Sequence, residues 1–173
     1  HGLSSAPELI IIKERDNANG WAVSIKGDAT DFLILDQAGA RSDDNAVFND
    51  TAPTSTVFSI GTAAMVNRSS GSMIAYCWHS VSGFSSIGSY TGSGSSGKAI
   101  TGLGFRPVFV MIKRTDASGG WHVFDAARFP NNPIDERIEW DNADGENDAG
   151  SNVLDIDFDS DGFTLKTSFD NMN

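Results

Sequence analysis

At 173 residues and 18.4 kDa, the chain has the usual size of one domain or two very small ones, and folding buries about two thirds of the unfolded surface, so no disulfide or metal staple is required. Its 39% hydrophobic and 20% charged residues, with 18 Gly, 5 Pro and 11 Phe, exclude disorder, collagen and coiled coil, and no apolar run approaches the roughly 20 residues that span a bilayer. A net charge of -11 repels nucleic acid and anionic lipid, so neither nucleic-acid binding nor membrane insertion is expected.

The chain opens at His1 with no initiator Met, no basic n-region and no apolar h-region, and reads as a processed product or an excised fragment. Residues 8–13 form the first predicted strand, a β-branched run bounded by Pro7 on one side and by Asp16 and Asn17 on the other. Asn19-Gly20 then reads as a hairpin dipeptide whose glycine supplies a positive φ and returns the chain into a strand from Trp21. Further strands are predicted at 32–36, 57–60, 73–79 and 84–90. Residues 90–97, nearly all Gly and Ser, have the composition of a linker and are read as a long loop within one domain. The second half repeats these signals, with a strand at 108–113, a Gly119-Gly120 turn, and strands at 137–140, 153–158 and 163–167. The last two flank the turn Asp159-Ser160-Asp161-Gly162. Nowhere do apolar residues recur at helical spacing over three turns, so the expected class is all-β, an antiparallel two-sheet β-sandwich.

An internal repeat organises the chain. Gly2, Leu3, Pro7, Ile12 and Lys13 are echoed by Gly102, Leu103, Pro107, Ile112 and Lys113, and the echo continues through Asp16/Asp116, Gly20/Gly120, Trp21/Trp121 and Val23/Val123 at a constant offset of 100 residues. Residues 1–100 are read as the first repeat and 101–173 as a second, incomplete one, both within one continuous sandwich domain. Residues 71–100 have no counterpart in the second copy. An exposed sheet edge there is a liability that a neighbouring chain or a rearranged terminus would cover.

The candidate chemistry divides into acids, aromatics and a thiol. Asp157, Asp159 and Asp161, followed by Gly162, resemble the opening of a calcium loop, with oxygen ligands at alternate positions and glycine at the sixth. The twelfth position is Ser168, where such a loop needs a bidentate glutamate. Strand alternation gives the preferred account: Leu154, Ile156 and Phe158 face the core while Asp155, Asp157, Asp159 and Asp161 face water. Calcium stays open because carboxylates crowded on one face repel one another. Glu139-Trp140-Asp141-Asn142-Ala143-Asp144 is reminiscent of the acid pair of retaining glucan hydrolases, but Asp144 stands where those enzymes have glutamate and leads into a turn. A surface strand running into an acidic loop is the preferred reading. The histidines His1, His79 and His122 show no metal spacing, and no nucleophile elbow, phosphate loop or dinucleotide fingerprint is present. Cys77, the only cysteine, sits in an apolar run and is expected to be a buried structural thiol.

Four tryptophans in an acidic, serine-rich sandwich invite a sugar-binding reading, since a flat aromatic face stacks on the apolar side of a pyranose. Trp21 and Trp121 occupy equivalent repeat positions and are candidate ligand-binding residues, with core packing the preferred account of a repeated tryptophan. Asp125, Arg128 and Asn132 lie in a polar, proline-containing loop that presents a donor cluster or is held shut by an Arg128–Asp125 pair.

The strings at 2–13, 72–78, 88–92 and 104–116, together with Trp121, Asp125, Arg128, Asn132-Pro133 and 157–163, resemble a duplicated domain common in structural proteins of tailed bacteriophages, marine ones especially. The resemblance implies a lectin-like, concanavalin A-like jelly-roll sandwich in a tail-fibre or other virion-surface protein, with no established catalytic residue. The acid density after Trp140 departs from that pattern. The expectation is a non-enzymatic virion-surface module that attaches to host glycans, with other virion proteins as partners, a homo-oligomer admitted, and calcium the only cofactor considered. Many weak contacts multiplied by copy number would give tight attachment. A purely structural decoration module without ligand, a glycan hydrolase and a calcium-dependent bacterial adhesin fragment are the alternatives.

Overall fold

The computed structural model describes residues 1–148 and 154–173. The chain divides into two compact units, the first made of residues 1–81, 86–88 and 115–117, the second of residues 82–85, 89–114 and 118–173. Among the described residues every strand pairing is antiparallel.

Unit 1 holds strands β1 (Leu9–Glu14), β2 (Ala22–Ile25), β3 (Asp28–Ile34), β4 (Ser42–Asp43) and β5 (Met73–Trp78) and the single-turn helices α1 (Asn45–Phe48) and α2 (Ala64–Asn67). The strands form one sheet in the order β4-β3-β2-β1-β5. Alternation in β1 sends Ile10 and Ile12 to one face, where they join Ala22, Phe32, Val47, Phe48 and Val66 in a buried cluster. Both helices lie over that face. Asp44 caps α1 by accepting a 2.9 Å hydrogen bond from Ala46 N, and Asn49 ends it in the left-handed region at φ 57.

Unit 2 holds β6 (Lys98–Thr101), β7 (Phe109–Lys113), β8 (Trp121–Asp125), β9 (Glu136–Glu139), β10 (Asn147–Asp148), β11 (Ile156–Asp159) and β12 (Gly162–Leu165). They form two sheets, β10-β9-β8-β7 and β11-β12-β6. One buried cluster draws on both: Val110, Ile112 and Phe124 from the first, and Ile156, Phe158, Phe163 and Leu165 from the second. The Gly/Ser segment before β6 is pinned. Ser93 N donates to Asn173 Oδ1 at 2.7 Å, Asn173 Nδ2 donates to Ser95 O at 2.7 Å, and Tyr90 donates its hydroxyl to Met172 O at 2.5 Å.

The all-β class and most predicted strands are present. Residues 57–60 and 84–90 are not strands; Phe58 instead packs onto the unit 1 core from a loop, and Tyr90 meets Phe163 edge-on at 6.3 Å. Val153, the start of one predicted strand, lies outside the described residues. Gly20, Gly119 and Gly120 lack the positive φ expected of a tight hairpin. Gly20 answers to close approach instead, since a Cβ there would lie 2.7 Å from Ile34 Cγ2.

Candidate functional site

The same set of contacts recurs around β1 and β2 in unit 1 and around β7 and β8 in unit 2. Lys13 Nζ donates to Asn19 O at 2.5 Å and stands 6.0 Å from the Trp21 ring centroid; Lys113 Nζ donates to Gly119 O at 2.8 Å and stands 6.0 Å from that of Trp121. Trp21 N donates to Asp36 Oδ1 at 2.9 Å, and Trp121 N to Asp141 Oδ1 at 2.6 Å. Leu35 N reaches Trp21 O at 3.0 Å, and Trp140 N reaches Trp121 O at 3.1 Å. Each tryptophan thus has a structural place beneath a lysine. Trp121 is 3% exposed, which leaves its ring closed to a pyranose and fits the core-packing account; Trp21 is half-buried.

The loop after β8 is held by its own charges. Asp125 Oδ1 accepts from Ala127 N at 3.0 Å and Arg128 N at 2.9 Å, Oδ2 accepts from Arg128 Nε at 2.5 Å, and Arg128 also pairs with Glu146. Burial would raise the Asp125 pKa, but the Arg128 and Ala127 donors outweigh it and hold the carboxyl below its ordinary value. Asn132 is exposed and tied to the Phe158 main chain, donating to its carbonyl at 3.0 Å and accepting from its N–H at 2.9 Å. The Arg128–Asp125 pair of the closed-loop alternative is present, and Arg128 Nη2 is buried with no acceptor among the described residues.

The alternating aspartates do not converge, and Asp155, expected to face water, is buried at 3% exposure. Asp157 pairs with Lys166 at 3.2 Å, Asp159 accepts from Thr164 Oγ1 at 2.7 Å, and Asp161 accepts from Gly102 N at 3.1 Å and Gly104 N at 2.6 Å. Among the described residues no group of three or more metal-ligating side chains gathers. Glu139 accepts from Arg137 Nη2 at 2.7 Å and Asn142 Nδ2 at 2.6 Å, while Asp144 lies exposed in the following loop. Cys77 is half-buried against the unit 1 core, and burial pushes its thiol pKa up, away from nucleophile chemistry.

Two features escaped the sequence. Ala22 and Ile34 face each other across β2 and β3 in unit 1, whereas His122 and Glu139 face each other across β8 and β9 in unit 2, with Arg137 two residues from Glu139. An apolar patch in one unit is therefore an ionic cluster in the other. His122 Nε2 and Arg137 Nη1 are buried there without a hydrogen-bond partner among the described residues.

The second feature is an aromatic platform. Alternation along β5 puts Ile74, Tyr76 and Trp78 on one face, opposite Lys13, Ile11 and Leu9 of β1. The Tyr76 and Trp78 rings stack with centroids 6.0 Å apart and planes 18° apart, and they stay 41% and 43% exposed. The i, i+2 spacing of these aromatics was the available signal, hidden because residues 73–78 also read as a uniformly buried run. Unit 1 also has a cleft of about 440 Å³ lined by Pro7, Glu8, Ser24, Lys26, Asp28 and Phe58 among others. Its charges are already committed, Glu8 to Lys26 at 3.0 Å and to Ser80 N at 2.8 Å, and Asp28 to Thr30 N at 3.1 Å.

A family model described as a domain of unknown function, DUF7483, matches residues 1–173. The chain belongs to that family. No curated protein and no solved structure matches it. Two units, paired tryptophan–lysine contacts and an exposed aromatic platform are thus features of a DUF7483 domain for which the family name supplies no chemistry.

Proposed function

We propose that this chain is a non-enzymatic virion-surface module of a tailed bacteriophage, of the tail-fibre kind, that attaches to host glycans. The stacked, exposed Tyr76–Trp78 pair carries the glycan reading, because two near-parallel rings held on one face of a paired strand leave aromatic surface open to the apolar side of a pyranose. The virion assignment rests on the sequence strings that resemble phage structural domains. The matched contacts of Lys13/Trp21/Asp36 and Lys113/Trp121/Asp141 support reading the units as two copies of one module. The cluster shared by both unit 2 sheets supports a lectin-like sandwich arrangement there. Exposed apolar residues such as Val57, Phe84 and Val108 favour a second reading, a structural decoration module whose apolar surface meets neighbouring virion proteins.

A glycan array probed with the chain in multivalent form, with calcium and then with chelator, separates these readings. Specific binding that disappears in the Tyr76→Ala, Trp78→Ala double variant supports attachment. A blank array with the folded chain leaves the structural module, and binding lost only with chelator returns the aspartates to the site.

A further inference from the structure

In unit 1, β1 is an interior strand with β2 on one side and β5 on the other; in unit 2, β7 carries the same contacts as β1 but is the edge of its sheet. Hydrogen-bonding parity shows which groups this leaves open. Ala126 N donates to Val108 O at 2.9 Å, continuing the β7–β8 ladder, so Val110 and Ile112 exchange bonds with β8 while the main-chain groups of Phe109 and Met111 point away from it. Arg15 N donates to Ser72 O at 2.8 Å, and the same parity turns Leu9 and Ile11 of β1 toward β5, opposite Trp78 and Tyr76. The backbone positions that β5 satisfies in one unit are, among the described residues, the ones without a strand in the other.

The edge also lacks the usual protection. Residues 108–112 carry no charge, no proline and no bulge, and Val108 and Phe109 are 67% and 49% exposed. Phe109 leans on the exposed Trp140, centroids 6.2 Å apart, on the outward face. The occupant of the β1 edge shows what such an edge takes: β5 is uncharged, places Ile74, Tyr76 and Trp78 outward, and sends the smaller Cys77 onto the core. A strand of that kind at β7 would set an aromatic beside Phe109, as Trp78 stands beside Leu9.

We propose that the β7 edge binds an extended, uncharged segment of another polypeptide chain, with aromatic and aliphatic side chains alternating with small ones, added antiparallel as a further strand. The inference rests on the matched strands and is independent of what Tyr76 and Trp78 bind.

The probe is a labelled synthetic peptide of residues 71–80 with Cys77→Ser, titrated into the full chain and followed by fluorescence anisotropy and amide hydrogen exchange. Saturable binding is expected, with new protection at the Phe109 and Met111 amides and no change at Leu9 and Ile11. Met111→Pro, whose missing N–H forms no β8 bond, weakens binding by about tenfold or more. A peptide carrying an N-methyl group on Tyr76 fails in the same way and leaves the protein's fold untouched. The proposal is overturned by absent binding at about 1 mM peptide, by binding indifferent to the N-methyl group, or by protection lost at Leu9 and Ile11, which would mean exchange with the chain's own β5. Protection of Phe109 and Met111 without peptide, rising with protein concentration, would assign the edge to a second copy instead.

Discussion

His122 stands opposite Glu139 across β8 and β9, its Nδ1 3.4 Å from Glu139 Oε1, while Arg137 Nε donates to that same Nδ1 at 3.3 Å. Arg137 Nε shares its proton with Glu139 Oε1 at 3.1 Å, and its bond to Nδ1 requires an unprotonated nitrogen and so a neutral ring. Burial is the main force lowering the His122 pKa from its ordinary 6.5; Glu139 raises it and Arg137 lowers it further. Between that lowered value and the ordinary one, the unfolded chain takes up a proton that the folded chain refuses. Stability therefore rises with pH through this window and falls on acidification, by at most about 1.4 kcal/mol per pH unit for one proton.

Urea unfolding followed from about pH 7 down to about pH 5 checks this. The midpoint should fall in the parent chain, and His122→Phe should flatten that part of the profile, leaving only the carboxylate contribution at lower pH. Equal slopes in both chains would mean that His122 is not held neutral.

Gly162 ends the β11–β12 turn at φ +150, and a Cβ there would lie 2.0 Å from Ile100 O on the neighbouring β6. Neither backbone can yield without breaking the three-strand sheet. Gly162→Ala is expected to cost more than about 2 kcal/mol, whereas Gly145→Ala, with nothing within 4 Å of its Cβ position, should stay within about 0.5 kcal/mol. Thermal unfolding of the two variants compares them directly.

What the sequence made legible follows from which forces are local. The β-branched runs at β1 and β7 and the turn at Gly162 declare themselves by alternation and by backbone freedom, and both are where expected. The loop packing of Phe58 and Tyr90 is set by distant partners, the unit 1 core and Phe163, so a strand-like local pattern misleads at both. β6 hides at the end of a Gly/Ser segment because its partner among the described residues, β12, lies some sixty residues further on. Among the candidate residues, Trp121 and Asn132 are singled out by residue type alone, whereas the burial of the one and the main-chain bonding of the other depend on tertiary packing. Tyr76 and Trp78 are exposed because β5 is the last strand of its sheet.

Trp121 and Trp78 should therefore respond in opposite ways to truncation. Trp121→Ala empties a site that is 3% exposed and should destabilise by about 3–5 kcal/mol. Trp78→Ala removes a ring that is 43% exposed and should change stability by less than about 1 kcal/mol. Chemical denaturation of both variants beside the glycan array separates folding from recognition: a loss of binding in Trp78→Ala with an unchanged midpoint locates the contact at the platform.

Asp161 differs from its neighbours in what it holds. Its carboxylate joins the turn after β11 to the chain leaving β6, through Gly102 N at 3.1 Å and Gly104 N at 2.6 Å. Asp161→Ala releases two main-chain donors at an exposed site and should cost about 1–2 kcal/mol. Asp157 makes one surface pair with Lys166 at 3.2 Å, and Asp157→Asn should change stability by less than about 1 kcal/mol. If these acids serve the fold as separate acceptors, the midpoint of thermal unfolding is the same in calcium and in chelator, and the Asp161→Ala loss is equal in both. A calcium-dependent rise in the parent chain that vanishes in both variants would instead make Asp157, Asp159 and Asp161 ligands of one ion, drawn together from the positions they occupy around β11.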